Sequence, residues 1–392
     1  MMDYYNNVHL KKNAQNGKAA NWTLVGPTSA IPSNGGGMGR INFVRFDPAN
    51  SNTVFVGSPG GGLWKSTNSG SSWSNLNTDN LPVIGCSDLA IDPNNSNVIY
   101  LATGDGDGSD TYSIGILKST DGGTTWNATG LNWNVTQTRT IRRLIINTSN
   151  TNILIAATSN GIYRTTNGGT SWTQIITGSF RDLEFKPNDP NTIYATTDQF
   201  YVSTNGGVSF TQVTNGLPAA NASNRMAIAV TPANANYVYV LSSENSSGYG
   251  GVYRSTNSGT SFSTMSTTPN ILGYSVTGSG SGGQGWYDLA IAASNTNANE
   301  IVVGGINIWR STNGGSSFNI IAHWYGASGT PYVHADIHDL IYLPGSGTTI
   351  WAGCDGGAFR TTNNGTSWSD RSAGLQIGQL YRFSNSATNT SL

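Results

Sequence analysis

The sequence predicts an all-β protein, a β-propeller of four-stranded antiparallel blades, and three observations point there. An eight-residue phrase, fullest at Ser119-Thr120-Asp121-Gly122-Gly123-Thr124-Thr125-Trp126, returns six more times, starting at Ser66, Thr165, Ser203, Ser255, Ser311 and Thr361. The steps between copies are 53, 46, 38, 52, 56 and 50 residues, close to the period of propeller blades. Ahead of each copy runs the same order of events: an apolar strand, a Pro/Asn-rich turn, a second strand, a Gly-rich loop and a third strand.

The phrase itself reads as a turn. Each copy offers Ser or Thr first, Asn or Asp third, Gly fifth and an aromatic eighth, namely Trp73, Trp126, Trp172, Phe210, Phe262, Phe318 and Trp368. A short Asx side chain bonds backbone N–H groups a few residues on, glycine accepts positive φ, and the aromatic opens the next strand with a large apolar surface. Six of the seven copies carry Asn, so the third position needs an acceptor and not a charge. The phrase is therefore architecture, neither catalytic nor metal-binding.

Taken in order, residues 1–20 form a polar lead-in with three lysines, and residues 21–392 the propeller domain. Trp22-Thr23-Leu24-Val25 matches the fourth strands, such as Trp172-Thr173-Gln174-Ile175, but has no blade of its own. Blades are expected near 41–77, 86–130, 140–177, 181–214, 226–266, 286–322 and 337–370. In the second, Asp88–Ile91 is the inner strand, 98–102 the second, 115–118 the third, and Trp126 begins the fourth. Residues 380–385 then repeat an inner-strand pattern. Orphan strands at 22–25 and 380–385 suggest a composite or incomplete eighth blade shared by the termini, which would remove sheet edges, in a fragment of a larger protein. A seven-bladed ring with loose ends is the alternative.

The repeated phrase resembles the Asp-box (BNR) repeat of sialidases, sortilin-type receptor domains, photosystem-assembly propellers and xyloglucan-cleaving endoglucanases. The resemblance covers about residues 40–392. It implies a β-propeller and leaves function open, since one scaffold carries enzymes and binding domains. The wording Gly61-Gly62-Leu63-Trp64-Lys65-Ser66-Thr67-Asn68 and Val333-His334-Ala335-Asp336-Ile337-His338 is most similar to exported, sortilin-like surface proteins of bacteria.

Composition agrees. With 36% hydrophobic residues in 392, many packed sheets can be filled, and with 10% charged residues solubility must come from Asn, Ser, Thr and Gly. A net charge of −1 gives no reason to expect nucleic acid. No apolar run is long enough for a membrane-spanning helix, so no membrane insertion is expected. The start, Met1-Met2-Asp3-Tyr4-Tyr5, lacks a basic segment followed by an apolar stretch, so no signal segment is visible although a secreted or cell-surface location is expected. Cys86 and Cys354 fall on blades 2 and 7 and read as two buried thiols, with a disulfide possible but not favoured.

With the turns and repeated phrases on one face, recognition belongs to the other, where long loops gather at 104–114, 129–140, 214–225, 242–251, 267–286 and 322–338. His334, Asp336 and His338, if on a strand, would share one face and could hold zinc or another transition metal, with Asp355 as a fourth ligand; loop-bracing hydrogen bonds are the other reading. Asp105, Asp107 and Asp110 sit at near-alternate positions among glycines and resemble the front of a calcium loop that lacks the closing Glu. Trp133, Trp286, Tyr287, Trp324, Tyr325 and Tyr332 could stack on sugar rings or grip a peptide, with Asp355 beside them, although about half would serve blade packing.

Enzyme readings are tested on residues. Arg40, Arg139, Arg142, Arg143, Arg181 and Arg225 lie near inner-strand starts, but no spacing selects the arginine triad that a resemblance to sialidases would require. The resemblance to xyloglucanases implies a catalytic aspartate where this chain has Pro59, which removes that chemistry. Asp88, Asp182, Asp288 and Asp339 recur before inner-strand apolar residues and read as scaffolding. The expectation is a secreted or cell-surface binding or adhesion module for glycan or protein, using the loop face around blades 2, 6 and 7. A glycoside hydrolase or a structural spacer are the alternatives.

Overall fold

The computed structural model describes residues 28–29, 36–108 and 110–378. They form seven four-stranded antiparallel sheets, each with its strands in sequence order. Blade 1 is β1 (Phe43–Asp47) to β4 (Ser74–Asn75), blade 2 β5 (Cys86–Ile91) to β8 (Asn127–Asn132), blade 3 β9 (Ile141–Ile146) to β12 (Thr173–Thr177), and blade 4 β13 (Asp182–Lys186) to β16 (Thr211–Val213). Blade 5 is β17 (Ser223–Val230) to β20 (Ser263–Ser266), blade 6 β21 (Ala290–Ala293) to β24 (Asn319–Ala322), and blade 7 β25 (Ile337–Tyr342) to β28 (Ser369–Asp370). Three single-turn 3₁₀ segments complete the elements of the described residues.

Strand sequences that are apolar at successive positions explain the radial stacking. Residues alternate sides along a strand, so such a sheet must be covered twice. In β21, Ile291 and Ala293 face blade 5 with Tyr239 and Leu241, whereas Ala290 and Ala292 face blade 7 with Leu340 and Ala352. One apolar cluster of this kind lies between every successive pair of blades. The cluster between blades 7 and 1 joins Trp351 and Ala358 to Val44, Val56 and Trp64. Blade 7 thus meets blade 1 directly, and Ile41 N–H donates to the Cys354 carbonyl at 3.0 Å. The composite eighth blade expected from the sequence finds no place between them, because the apolar faces already cover each other. The lead-in 1–20 and the orphan segments 22–25 and 380–385 lie outside the described residues.

The repeated turn works as its residue types require. In copy one Ser66 Oγ accepts from Gly70 N–H at 2.8 Å, and Asn68 Oδ1 accepts from Ser72 N–H at 2.9 Å. Asn68 Nδ2 donates to Ser72 Oγ at 2.9 Å. In the single aspartate copy that last bond reverses: Thr125 Oγ1 donates to Asp121 Oδ2 at 2.6 Å. An acceptor is what all copies share. The fifth-position glycine does more than turn the chain. At Gly70 φ is +78°, and an added Cβ would stand 2.7 Å from Trp351 of blade 7; at Gly365 it would stand 2.7 Å from Ile321 of blade 6. The eighth-position Trp73, Trp126 and Trp368 each donate their indole N–H to a carbonyl of the preceding blade: Arg371, Leu76 and Ile321. The turn closes its own hairpin and locks it onto the neighbour.

These turns bond to the β1–β2-type turns, as in Gly122 N–H to Asn97 O at 3.0 Å, so both occupy one face of the ring. The opposite face carries the second-to-third strand loops and the blade connections. Gly70→Ala should destabilise the protein by about 1–3 kcal/mol, from positive φ and the clash with Trp351. The test is the urea midpoint, and an unchanged midpoint would contradict the packing of blade 7 on blade 1.

Candidate functional site

Inner strands begin at the loop face, and their first residues together with the loop before β7 (Gly115–Ser119) converge on the ring axis. Arg40, just ahead of β1, is buried and donates to Asp105 Oδ2 at 2.5 Å, to Asp110 Oδ2 at 3.2 Å and to the Tyr287 hydroxyl at 2.9 Å. Tyr287 in turn donates to Asp355 Oδ1 at 2.9 Å. His338 spans the centre: Nε2 lies 2.8 Å from Asp355 Oδ1 and Nδ1 3.1 Å from Asp107 Oδ2. Arg225 completes the array, 2.9 Å from Asp107 Oδ1 and donating to the Tyr287 carbonyl at 3.0 Å. Blades 1, 2, 5, 6 and 7 are tied together by side chains from connections far apart in sequence.

Electrostatics follow from those contacts. Burial alone would push the His338 pKa down, but the bonds to Asp107 and Asp355 outweigh it and raise it from 6.5 to about 9, so both ring nitrogens donate. Burial works to raise Asp107, and Arg225 and His338 hold it well below the usual carboxylate range. Asp355 is lowered for the same reason: His338 and Tyr287 overcome its burial. Asp336 moves the other way, raised by burial and by the charge of Asp355. Asp288 is fully buried, neither of its oxygens has a hydrogen-bond partner among the described residues, and burial together with Asp336 raises it far above 3.8.

Several sequence-based expectations are corrected here. His334 and Asp336 do not share a strand face with His338, because β25 begins at Ile337 and Asp336 has φ +64°. The His334 ring turns to the Ala335 carbonyl at 3.2 Å, and Gln284 donates to Asp336 at 3.0 Å. Asp105, Asp107 and Asp110 do not form a calcium loop, since Arg40, Arg225 and His338 take their oxygens. Among the described residues no group of three or more His, Cys, Asp or Glu is placed to hold a metal ion. Cys86 and Cys354 are buried free thiols.

The expected aromatics divide. Trp133 packs against the blade 2–3 cluster, edge-on to Tyr163, and Tyr332 packs against the blade 6–7 cluster, edge-on to Phe359. Tyr287 belongs to the axial network. Trp324 is half-buried and meets Tyr325 edge-on at 4.6 Å. Trp286 and Tyr325 are exposed at 50% and 44%, and two aromatics that sequence reading passed over, Tyr112 and Tyr274, are exposed at 40% and 60%. All four stand on the loop face. Their place inside the long loops was the available signal.

Asp88, Asp182 and Asp339 prove to be blade staples. Their carboxylates accept the N–H of Leu144, Ile228 and Val44, each on a neighbouring inner strand, at 2.7–2.8 Å. Arg45 and Arg143 neutralise them within the channel. Asp288 occupies the matching place in blade 6 without such a bond.

These features define a seven-bladed β-propeller with a polar axial network and an aromatic-bearing loop face, similar to the propellers of xyloglucanases. No family model matches the chain. A xyloglucanase of Hypocrea jecorina (strain QM6a) is 29% identical over 154 residues, 36% of this chain and 18% of that protein. The GH74 xyloglucanase of Xanthomonas campestris superposes with a TM-score of 0.65 at 17% identity, covering 87% of this chain and 55% of that one. YCF48, solved with D1 peptide, superposes with a TM-score of 0.55 at 14% identity over 85% of this chain and 95% of its own. The chain spans about half the length of the solved xyloglucanase, and the likeness to both solved structures is one of fold.

Because His338 is raised when folded, its contribution to stability is complete below pH 6.5 and lost as pH climbs through about 9. The melting temperature is expected to fall across that window, and His338→Gln to remove the fall. A wild-type melting temperature that stays flat there would contradict the doubly bonded imidazolium.

Proposed function

We propose that the loop face binds a β-linked glycan, with Trp286, Tyr325, Tyr274 and Tyr112 as the stacking surface and the axial network as a rigid polar floor. The observation that carries this is the exposure of these four side chains on one face. An indole or phenol ring covers a sugar's apolar face while its polar edge stays wet. The likeness to xyloglucanases supports a glycan over a peptide. Secretion or surface display fits such a ligand, and one similar structure is an extracellular domain from B. thetaiotaomicron.

A second reading, glycoside hydrolysis, is favoured by one observation. Asp355 N–H donates to the Asp336 carbonyl at 3.2 Å, so the two carboxyl groups hang from bonded neighbours, one raised and one lowered. A carboxyl group held above its ordinary range beside one held below it is the pairing such chemistry uses. In that reading Asp336 protonates the leaving oxygen, and Asp355 acts as base or nucleophile.

Calorimetric titration with xyloglucan and cello-oligosaccharides tests the binding reading. Trp286→Ala should weaken affinity about tenfold or more, about 1.4 kcal/mol. Absence of binding to any β-glucan, or full affinity in the variant, would end it. For the second reading, release of reducing sugar is expected to drop about 10²–10⁴-fold in Asp336→Asn. Wild-type protein inert on every β-glucan would dispose of hydrolysis.

A further inference from the structure

We propose that His323 is a positioning residue of the glycan surface: its neutral ring ties Tyr274 and Tyr325, exposed aromatics of two separate loops, into one platform that acid releases. This rests on the glycan reading and adds how that site responds to pH.

Two bridges join these loops side by side. Asn307, just before the third strand of blade 6, accepts from Trp324 N–H at 3.1 Å and donates to the Gly273 carbonyl at 3.0 Å. One residue further along each loop, His323 repeats the arrangement. Its Nδ1 accepts from Tyr325 N–H at 3.3 Å, and its Nε2 lies 3.0 Å from the Tyr274 carbonyl. Nδ1 also accepts from Ala327 N–H at 3.4 Å. An amide side chain carries its acceptor and its donor permanently, whereas an imidazole has both only when neutral. The partners of His323 therefore require the form with its proton on Nε2.

The ring also sets the direction of Tyr325, whose plane stands at 89° to His323 at 4.3 Å and at 89° to Trp324 at 4.6 Å. His323 is 1% exposed, whereas Tyr274 and Tyr325 face solvent. A buried side chain thus places two that are free to meet a ligand.

Protonation breaks this arrangement. An imidazolium has no acceptor, and its Nδ1–H would point at the N–H groups of Tyr325 and Ala327. The segments packed on it, residues 267–286, 305–308 and 322–333, contain no Asp, Glu, Lys or Arg; their titratable groups besides His323 are the phenols of Tyr274, Tyr325 and Tyr332. No charged side chain bonds to His323 among the described residues. Burial holds its pKa below the ordinary 6.5, against the pull of the Tyr274 carbonyl. What the neutral ring contributes is present above pH 6.5 and lost as pH falls through the lowered folded value. The Asn307 bridge does not titrate, so acid removes one tie of the two.

A histidine proton–nitrogen correlation spectrum tests the ring, and calorimetry with a xyloglucan heptasaccharide tests the platform. The His323 signal is the one lost in His323→Asn. It is expected to show the proton on Nε2 at neutral pH and to charge only below pH 6.5; a charged ring at neutral pH, or a proton on Nδ1, overturns the proposal. Wild-type affinity is expected to fall about fivefold or more between about pH 7.5 and about pH 5. His323→Asn keeps an acceptor for the turn but is too short to reach Tyr274, so it should bind equally at both values and near the weaker wild-type level. Acid dependence that survives in this variant belongs to another group, such as Asp336, and overturns the role of His323. Wild-type binding that does not weaken in acid overturns this inference alone, and needs no variant. No glycan bound at either pH overturns the glycan reading, and the spectrum still decides whether the tie exists.

Discussion

A four-stranded sheet that is apolar on both faces has to be covered on both, and everything else in this protein follows from that constraint. Seven such sheets satisfy it only by closing a ring, in which each blade is cover for two neighbours. Trp351 of blade 7 against Val44, Val56 and Trp64 of blade 1 is the contact that turns a stack into a ring. Were those two faces separated, large apolar areas would meet water at about 25 cal/mol per Å². The repeated turn serves the same closure, since its glycine permits the close approach and its tryptophan bonds the preceding blade.

Ring closure also creates the axis, and with it an electrostatic problem. Inner strands bring their first residues together where little water reaches, so charges placed there must be answered. Asp88, Asp182 and Asp339 are answered by backbone N–H groups and by Arg45 and Arg143. Asp107 and Asp355 are answered by His338. Breaking one partner of such a buried set leaves the other uncompensated, which is why the set holds together as a unit. Above that network Trp286, Tyr325, Tyr274 and Tyr112 are exposed.

Much of the fold was legible because its signals are local. The period of the Ser/Thr-x-Asx-x-Gly phrase marks each blade, and the Asn at six of its seven third positions already tells an acceptor from a charge. The site was legible only as an inventory. Asp105, Asp107, Asp110, His338 and Asp355 were all singled out, yet as two separate metal sets, because spacing along the chain cannot show that Asp107 and His338, 231 residues apart, share a hydrogen bond. The expected alternation at His334, Asp336 and His338 failed at a single positive φ, which pattern alone does not reveal.

The sequence by itself determined the sheets, the turns joining their strands and the two-sided apolar burial that demands radial packing, because each depends on residues a few positions apart. The tertiary structure alone decided that blade 7 meets blade 1 and that Asp107, His338 and Asp355 are joined in one network. Those outcomes depend on distances across the ring axis, and such distances exist only once the ring has closed.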